Sequence, residues 1–308
     1  MLRFSRLLCC AMLLLLAASP VRAGFIPGSM YVSSRSNASI SEVSSSGVVT
    51  TFVTGIDATG LAFGPDGNLY VADNTASVIY QVTSAGTVSK FVTGLDGAAG
   101  LAFDSSGNLY VGNSLDNDVI KVTPGGIASI FATGFSTPTG LTFDSSGNLY
   151  IANQSGGYID KVTPGGTVST FATGFSVPVG LAFDSSGNLY VANNTDTNST
   201  GGYIDKVTPG GTVSTFATGL KGAEYITFDS SGNLYVPEYS GGTLGIVGPG
   251  GGTVSVFASG FSNPETVAFA PSAVPAPSSL ALALSGVVPL LGWGWLRRRR
   301  GGIAAVGP

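Results

Sequence analysis

Histidine is missing from this 308-residue chain, and cysteine occurs only twice, at Cys9 and Cys10. Without histidine, the chain cannot form a serine–histidine or cysteine–histidine catalytic pair, so any acid–base group would have to be a carboxylate, a lysine or a tyrosine. Both cysteines lie within the first 23 residues. The remainder of the chain therefore forms no disulfide and offers no thiol nucleophile.

Charged residues are also scarce, at 10% of the chain, and they are unevenly placed. Seven of the 13 basic residues lie in the two terminal segments, whereas all 17 acidic residues lie between Glu42 and Glu265, so residues 24–271 carry a net charge of 6 − 17 = −11. A domain of this charge is a poor partner for nucleic acid or for an anionic membrane surface. Divalent cations and neutral polymers such as polysaccharide fit it better.

A short sequence, Gly-Asn-Leu-Tyr, recurs along the chain with spacings of 40, 40, 40 and 45 residues. It begins at Gly67, Gly107, Gly147, Gly187 and Gly232. A fixed period of this length indicates a stacked or radial repeat. Each unit holds four short apolar runs separated by turn residues such as Asp-Ser-Ser-Gly-Asn at 144–148. Short turns join antiparallel neighbours, so each unit predicts a four-stranded antiparallel sheet, the blade of a β-propeller.

Each of the four strand types carries one recurring apolar residue, and every type occurs six times. The innermost strands end in Phe63, Phe103, Phe143, Phe183, Phe228 and Phe269; the second strands carry Tyr31, Tyr70, Tyr110, Tyr150, Tyr190 and Tyr235. The chain enters this pattern on a second strand and leaves it on an innermost strand, so its two ends must share a blade. Residues 24–271 are therefore predicted to form an all-β, six-bladed β-propeller of four-stranded antiparallel blades, with the ring closed by N-terminal strands plus the C-terminal innermost strand.

The two ends of the chain have the composition of targeting segments. Residues 1–23 predict a signal peptide, because a basic start is followed by an apolar stretch and a small-residue cleavage site. Residues 272–279 form a proline-bearing linker, and residues 280–296 carry no charge and suffice for a transmembrane helix. Residues 297–308 form an arginine-rich tail that the positive-inside preference keeps in the cytoplasm. The propeller is therefore predicted to be exported.

The order of a proline motif, an apolar helix and an arginine cluster resembles the PEP-CTERM sorting signal of Gram-negative bacteria. The matching residues are Pro275, Pro277, Arg297 and Arg298, while Ala276 stands where that motif has glutamate. The resemblance implies an exosortase-type processing enzyme as a partner and an intermediate anchored in the inner membrane. The final location would be the cell surface or the extracellular matrix. A plain single-pass tail anchor is the alternative interpretation.

The repeat unit itself, Gly-Leu-Ala-Phe-Asp-Ser-Ser-Gly-Asn-Leu-Tyr-Val-Ala-Asn at 180–193, resembles the NHL repeat. Its relatives include the gluconolactonase-like (regucalcin-type, SMP-30) propellers and the virginiamycin B lyases. The lyase family uses a histidine for proton transfer, and this chain has none. The gluconolactonase-like relatives hold a divalent cation with carboxylate and Asn oxygens at one mouth of the central channel.

That second resemblance implies a metal site where the innermost strands begin and the second strands end. The candidate ligands are Asn153, Asn193, Glu224, Glu238 and Glu265, and hard oxygen donors of this kind suit Ca²⁺ or Mg²⁺. The alternative is structural, because Asp and Asn in loops commonly bond their own backbone.

Two functions remain open at this point. The first is an exported binding or scaffold module at the cell surface or in the matrix, whose partners would include polysaccharide or another surface protein. Near-identical blades favour it, because they offer similar surfaces whereas an active site needs residues that differ. The second is a divalent-metal-dependent, lactonase-like hydrolase. No catalytic residue is assigned, and no cofactor beyond Ca²⁺ or Mg²⁺ is implied.

Overall fold

The structure, a computed structural model, describes residues 24–195 and 201–271. The predicted signal peptide (1–23), linker (272–279), transmembrane helix (280–296) and tail (297–308) lie outside the described residues, and so do Pro275, Pro277, Arg297 and Arg298. Within the described part of the chain, no helix has the length and apolar character needed to cross a membrane.

Twenty-five strands make up the described chain. In order they are β1 (Met30–Ser34), β2 (Ser39–Val43), β3 (Val49–Thr54), β4 (Ala58–Phe63), β5 (Leu69–Asp73), β6 (Val78–Val82), β7 (Val88–Thr93), β8 (Ala98–Phe103), β9 (Leu109–Asn113), β10 (Asp118–Val122), β11 (Ala128–Thr133), β12 (Pro138–Phe143), β13 (Leu149–Asn153), β14 (Tyr158–Val162), β15 (Val168–Thr173), β16 (Pro178–Phe183), β17 (Leu189–Asn193), β18 (Gly202–Val207), β19 (Val213–Leu220), β20 (Thr227–Phe228), β21 (Leu234–Glu238), β22 (Thr243–Val247), β23 (Gly252–Thr253), β24 (Ser255–Ser259) and β25 (Pro264–Phe269).

The strands form six antiparallel sheets, which confirms the predicted six-bladed propeller of four-stranded blades. From the innermost strand outwards, blades 1 to 4 are β4–β7, β8–β11, β12–β15 and β16–β19. Blade 5 is β20, β21, β22 and β24, and blade 6 is β25, β1, β2 and β3. In blade 6, Val32 pairs with Val267 and Tyr31 with Ala268, so the two ends of the described chain share a sheet as predicted.

The recurring hairpin turn is held by its aspartate. In blade 3, Oδ1 of Asp144 accepts the backbone N–H groups of Ser146 and Asn148 at 2.9 Å each, and Oδ2 accepts the Asn148 side-chain amide at 2.7 Å. Gly147 adopts φ +78°, a conformation that a β-carbon disfavours. The Asp-Ser-Ser-Gly-Asn sequence is therefore explained by the turn it forms.

The recurring aromatic residues join each blade to the next. Tyr150 of blade 3 lies edge-to-face against Phe171 of its own outer strand, with ring centroids 4.9 Å apart, and against Phe183 of blade 4, at 5.0 Å. The same three-ring arrangement occurs at all six junctions, and Tyr31 and Phe63 complete it between blades 6 and 1 at 5.6 Å. Each such pair contributes about 0.5–1.5 kcal/mol beyond its buried area.

Neighbouring innermost strands approach most closely at one glycine in each of blades 1 to 4. A β-carbon built on Gly140 would lie 2.1 Å from the carbonyl oxygen of Val179 in the next blade. The corresponding distances are 2.1 Å at Gly60 and Gly100 and 2.4 Å at Gly180. No side chain fits at such a distance, so these four positions require glycine.

Blades 5 and 6 replace this glycine with Tyr225 and Thr266. The N–H of Tyr225 donates to the carbonyl of Glu265 at 3.0 Å, and the Thr266 hydroxyl donates to the carbonyl of Thr59 at 2.8 Å. A tyrosine cannot pack at glycine distance, and β20 is accordingly regular only over Thr227–Phe228. Hydrogen bonds thus take the place of the bare backbone contact where the ring closes.

A second departure lies at the outer edge of blade 4. The turn before β24 contains one glycine more than the matching turn of blade 4, and Gly252–Thr253 consequently runs beside β19 as a fifth, parallel strand. The sequence repeat did not predict this strand, because it belongs to an inserted residue rather than to the forty-residue unit.

Candidate functional site

The mouth at which the innermost strands begin, here called the entry mouth, is lined by one equivalent residue from each blade. These residues are Thr59, Ala99, Thr139, Val179, Glu224 and Glu265. Four of them are small or apolar, and the two glutamates come from the adjacent blades 5 and 6. The entry mouth is therefore asymmetric, and its polar part lies where the ring closes.

Three of the five predicted metal ligands hold loops within their own blades. Asn153 accepts the Ser136 N–H at 2.8 Å, and Asn193 accepts the Ser176 N–H at 3.1 Å. Glu238 accepts the Lys221 N–H through one oxygen at 3.0 Å. The equivalent Asp73 and Asn113 accept the N–H of Asp57 and of Asp96 in the same way. This position therefore fixes the loop that leads into each innermost strand.

The remaining polar atoms of these side chains are also engaged. The Asn153 amide donates to Asp160 at 3.0 Å, the Asn193 amide donates to Asp205 at 3.1 Å, and the second oxygen of Glu238 accepts the Thr243 hydroxyl at 2.6 Å. Within residues 24–195 and 201–271, no three acidic, histidine or cysteine side chains come together as a set able to hold a metal ion.

The structure does bring the other two predicted ligands together. Glu224 and Glu265 are both buried, at 8% and 6% exposure; Glu265 lies in β25 of blade 6, and Glu224 precedes β20 of blade 5. Glu224 accepts the side-chain amide of Asn194 at 2.6 Å, and Glu265 accepts Nη1 of Arg35 at 2.9 Å. The donor to Glu224 comes from blade 4, whereas the donor to Glu265 comes from the β1–β2 hairpin of its own blade, blade 6.

Arg35 connects three parts of the ring. It lies in the hairpin between β1 and β2, pairs with Glu265 of β25, and its Nε lies 3.6 Å from Oδ1 of Asp57 in the loop before β4. Its side chain is 42% exposed, whereas that of Glu265 is 7% exposed. One guanidinium thus joins the β1–β2 hairpin and β25 of blade 6 to the loop before β4 of blade 1, and it remains partly exposed to solvent.

Two tyrosines complete this group. Tyr225 follows Glu224 directly, and Tyr239 follows Glu238 on blade 5. Burial raises the pKa of both phenols, and the charge of Glu265 adds to the rise. We refer to Arg35, Asp57, Glu224, Tyr225, Tyr239 and Glu265 as the seam cluster.

Burial governs the acidity of the two glutamates. It raises the pKa of Glu265 to about 7, while the guanidinium of Arg35 opposes the rise and Asp57 adds to it. Burial also raises the pKa of Glu224 well above its ordinary value, and the neighbouring Glu265 adds to that rise. At neutral pH the two carboxyls therefore do not both carry a full negative charge.

Sequence reasoning found the glutamates but missed their partners. Glu224 and Glu265 stand out because the other units have small or apolar residues at that position. Arg35 was missed although it is the only arginine between residues 24 and 271, and Tyr225 was missed although it replaces a repeated glycine. Departures from the repeat are the signal that marks all four residues.

No family model matches the sequence, and no curated protein matches it. Solved structures do resemble it. A chain of the nidogen/laminin complex has a TM-score of 0.69 at 18% identity over 79% of this chain and 98% of that chain. A structure described as a gluconolactonase by family has a TM-score of 0.55 at 17% identity, over 63% of this chain and 75% of that one.

A virginiamycin B lyase from Staphylococcus aureus, catalytically inactive through a histidine-to-alanine substitution and bound to quinupristin, has a TM-score of 0.57 at 16% identity. The match covers 81% of this chain and 87% of that one. At such identities the likeness establishes a propeller fold shared with the NHL, gluconolactonase-like and lyase proteins. This chain has no histidine with which to repeat the lyase chemistry.

Proposed function

We propose that this protein is an exported β-propeller of the cell surface or extracellular matrix that works as a binding module, with the seam cluster as its ligand site. The observation that carries the proposal is that the buried carboxylates already have fixed protein donors: Arg35 for Glu265 and Asn194 for Glu224. Such a site presents hydrogen-bonding groups and phenols to a ligand, rather than an empty oxygen shell to a cation.

Neutral polysaccharide is the ligand class that this chemistry favours. Sugar hydroxyls both donate and accept, and they can pair with the exposed face of Arg35 and the carboxylate of Asp57 while a sugar ring stacks on Tyr239. The net charge of −11 over residues 24–271 disfavours anionic polymers. The nidogen/laminin complex, in which a similar chain is part of a protein assembly, supports a binding role for this fold.

We expect the full-length protein to be retarded in native gels that contain dextran or galactomannan and not in gels that contain alginate. Replacement of Tyr239 by alanine should weaken the retardation roughly tenfold, as loss of an aromatic anchor does. Tyr158→Ala, a matched change on blade 3, should leave it unchanged. Equal mobility in all gels would refute the proposed binding of polysaccharide. Capture of a surface protein instead would identify the other class of partner.

Export is the second part of the proposal. We expect the intact chain in the envelope or culture medium of a Gram-negative host, and a chain lacking residues 2–23 in the cytoplasm, because the basic and apolar start is what a translocon recognises. Pro275→Ala combined with Pro277→Ala should retain the protein in the inner membrane. Immunoblots of cell fractions measure both results, and an intact chain found in the cytoplasm would contradict the proposal.

A metal-dependent, lactonase-like hydrolase is the second candidate, favoured by the adjacent carboxyls of Glu224 and Glu265. If these bind Ca²⁺ or Mg²⁺, millimolar cation should raise the melting temperature, because a ligand of the folded state stabilises it. Glu265→Gln should abolish that rise, whereas Glu42→Gln should not. If neither cation changes the melting temperature, the protein does not bind the metal that the hydrolase would need.

A further inference from the structure

Blades 3 and 4 each hold a buried aspartate on the third strand, and both of its oxygens are satisfied. In blade 3 this residue is Asp160, whose Oδ1 accepts the Thr170 hydroxyl at 3.0 Å and whose Oδ2 accepts the Asn153 amide at 3.0 Å. Asp205 of blade 4 has the same two kinds of donor, at 3.1 Å each. The acid is therefore a structural part of these blades.

Blade 2 carries its buried acid at a different position. Ile120 and Ile130 replace the aspartate–threonine pair and face each other in the same register. An aspartate lies instead two residues earlier, at Asp118, where blade 3 has Tyr158. Asp118 is 7% exposed, and its Oδ1 is buried with no hydrogen-bond partner among the described residues. Since buried polar atoms almost always have a partner, this oxygen needs one that the repeat does not supply.

A second aspartate, Asp116, faces the first across the β9–β10 hairpin. The matching residue of blade 3 is Gly156, and a β-carbon built there would lie 2.2 Å from the ring of Tyr158. The two hairpins share a positive φ at the residue between these positions, +59° in blade 2 and +68° in blade 3. Asp116 and Asp118 therefore bring two carboxylates together. Burial raises the pKa of Asp118, and the charge of Asp116 adds to the rise.

Asn113 is fixed beside this pair. Its side-chain oxygen accepts the Asp96 N–H at 2.7 Å, and its amide donates to Oδ2 of Asp116 at 3.0 Å. The amide also opposes the rise in the pKa of Asp118. In the part of the chain that the structure describes, no lysine or arginine forms an ion pair with either aspartate. Two adjacent acids thus share one neutral donor and lack a positive partner.

We propose that Asp116 and Asp118 bind a calcium ion at the β9–β10 hairpin of blade 2. Oδ1 of Asp118 and the exposed carboxylate of Asp116 are its protein ligands, and water completes the shell. Ca²⁺ accepts such irregular sets of oxygen ligands, whereas Mg²⁺ requires near-octahedral geometry. Two carboxylates fall short of a three-acid cluster, so the expected Kd is weak, about 10⁻⁴–10⁻³ M, as in extracellular calcium modules. The site goes beyond the proposed function and shares no residue with the seam cluster.

Calcium titration of the full-length protein at constant ionic strength tests the site. Isothermal titration calorimetry should give one Ca²⁺ per chain, and Asp118→Asn should weaken binding more than tenfold. Asp160→Asn, the matched buried aspartate of blade 3, should keep the wild-type affinity. Glu265→Gln should also keep it, which separates this ion from any metal at the seam cluster. Binding of Mg²⁺ as tight as that of Ca²⁺ would overturn the assignment to calcium.

Thermal melting adds a result that a purely structural aspartate would not give. Without calcium, Asp118→Asn should melt at or above the wild-type temperature, because it removes the repulsion between the two carboxylates. In about 5 mM calcium the wild type should melt roughly 2–5 °C higher, and the variant should not. If Asp118→Asn does not fold, Asp116→Gly combined with Asp118→Tyr restores the residues of blade 3 and should also lose binding. No saturable calcium binding by the wild type, or wild-type affinity in a folded variant, would overturn the proposal.

Discussion

Replacement of Gly140 by alanine is expected to lower the free energy of unfolding by at least about 3 kcal/mol, because the new β-carbon would sit 2.1 Å from the Val179 carbonyl of the next blade. Neither backbone can withdraw without opening the contact between blades 3 and 4. For a domain of this size, the melting temperature should fall by roughly 10 °C.

Gly165→Ala is the matched control. A β-carbon there meets only the Thr163 hydroxyl oxygen, at 3.9 Å, and the residue does not need a positive φ. Its free energy of unfolding should change by no more than about 0.5 kcal/mol. Urea unfolding of the two variants side by side measures the difference. Equal effects would mean that close approach between innermost strands does not determine the glycine positions.

Replacement of Arg35 by methionine is expected to cost about 3 kcal/mol at pH 8, because it leaves the buried carboxylate of Glu265 without its partner. The cost should shrink at pH 5, where Glu265 is protonated and needs no counterion. Arg35→Met combined with Glu265→Gln should recover most of the loss. Lys161→Met breaks the 3.9 Å pair with Asp144, whose side chain is more exposed than that of Glu265. This change should cost under about 1 kcal/mol at either pH.

Titration of Glu265 should also be visible in the wild type, in how its free energy of unfolding depends on pH. The folded pKa of Glu265, about 7, lies above the ordinary value of 4.5, so the folded state binds its proton more tightly than the unfolded state. Its contribution to stability is therefore complete below pH 4.5 and is lost as the pH rises through 7, a change of up to about 3 kcal/mol. Glu224 acts in the same direction. In the Glu265→Gln variant, the urea unfolding midpoint should vary less with pH between pH 5 and 8. If its dependence on pH equals that of the wild type, Glu265 does not titrate in this range.

The fold was predictable because the residues that pack each blade against the next recur every forty residues. Phe143, Tyr150 and Phe171 occur at fixed offsets because each tyrosine must lie between a phenylalanine of its own blade and one of the next. Six sets of such residues therefore meant six blades. The short β20 and the added β23 were not predictable in this way, because each results from residues that occur in one unit only.

The site was predictable in part for the same reason. Glu224 and Glu265 are departures at an aligned position, and a departure can be seen in one sequence. The loop-fixing role of Asn153 and Asn193 corresponds to the structural alternative, in which Asp and Asn side chains in loops bond backbone groups. Arg35 reaches Glu265 across 230 residues of sequence, and no local pattern indicates which carboxylate a lone guanidinium will meet.

The sheet shared by β1 and β25 has a consequence for the order in which the molecule assembles. Blades 1 to 5 consist of segments close together in the chain, whereas the Val32–Val267 pair joins residues 235 positions apart (267 − 32). Bringing such distant segments together costs roughly 1.5 kcal/mol more entropy than closing a forty-residue unit. Until β25 pairs with β1, the backbone N–H and C=O groups along that edge of β1 stay unpaired, and another polypeptide could pair with them. Nascent molecules are thus most prone to mispairing just before the final strand arrives, and a chaperone that shields β1 would act in that interval.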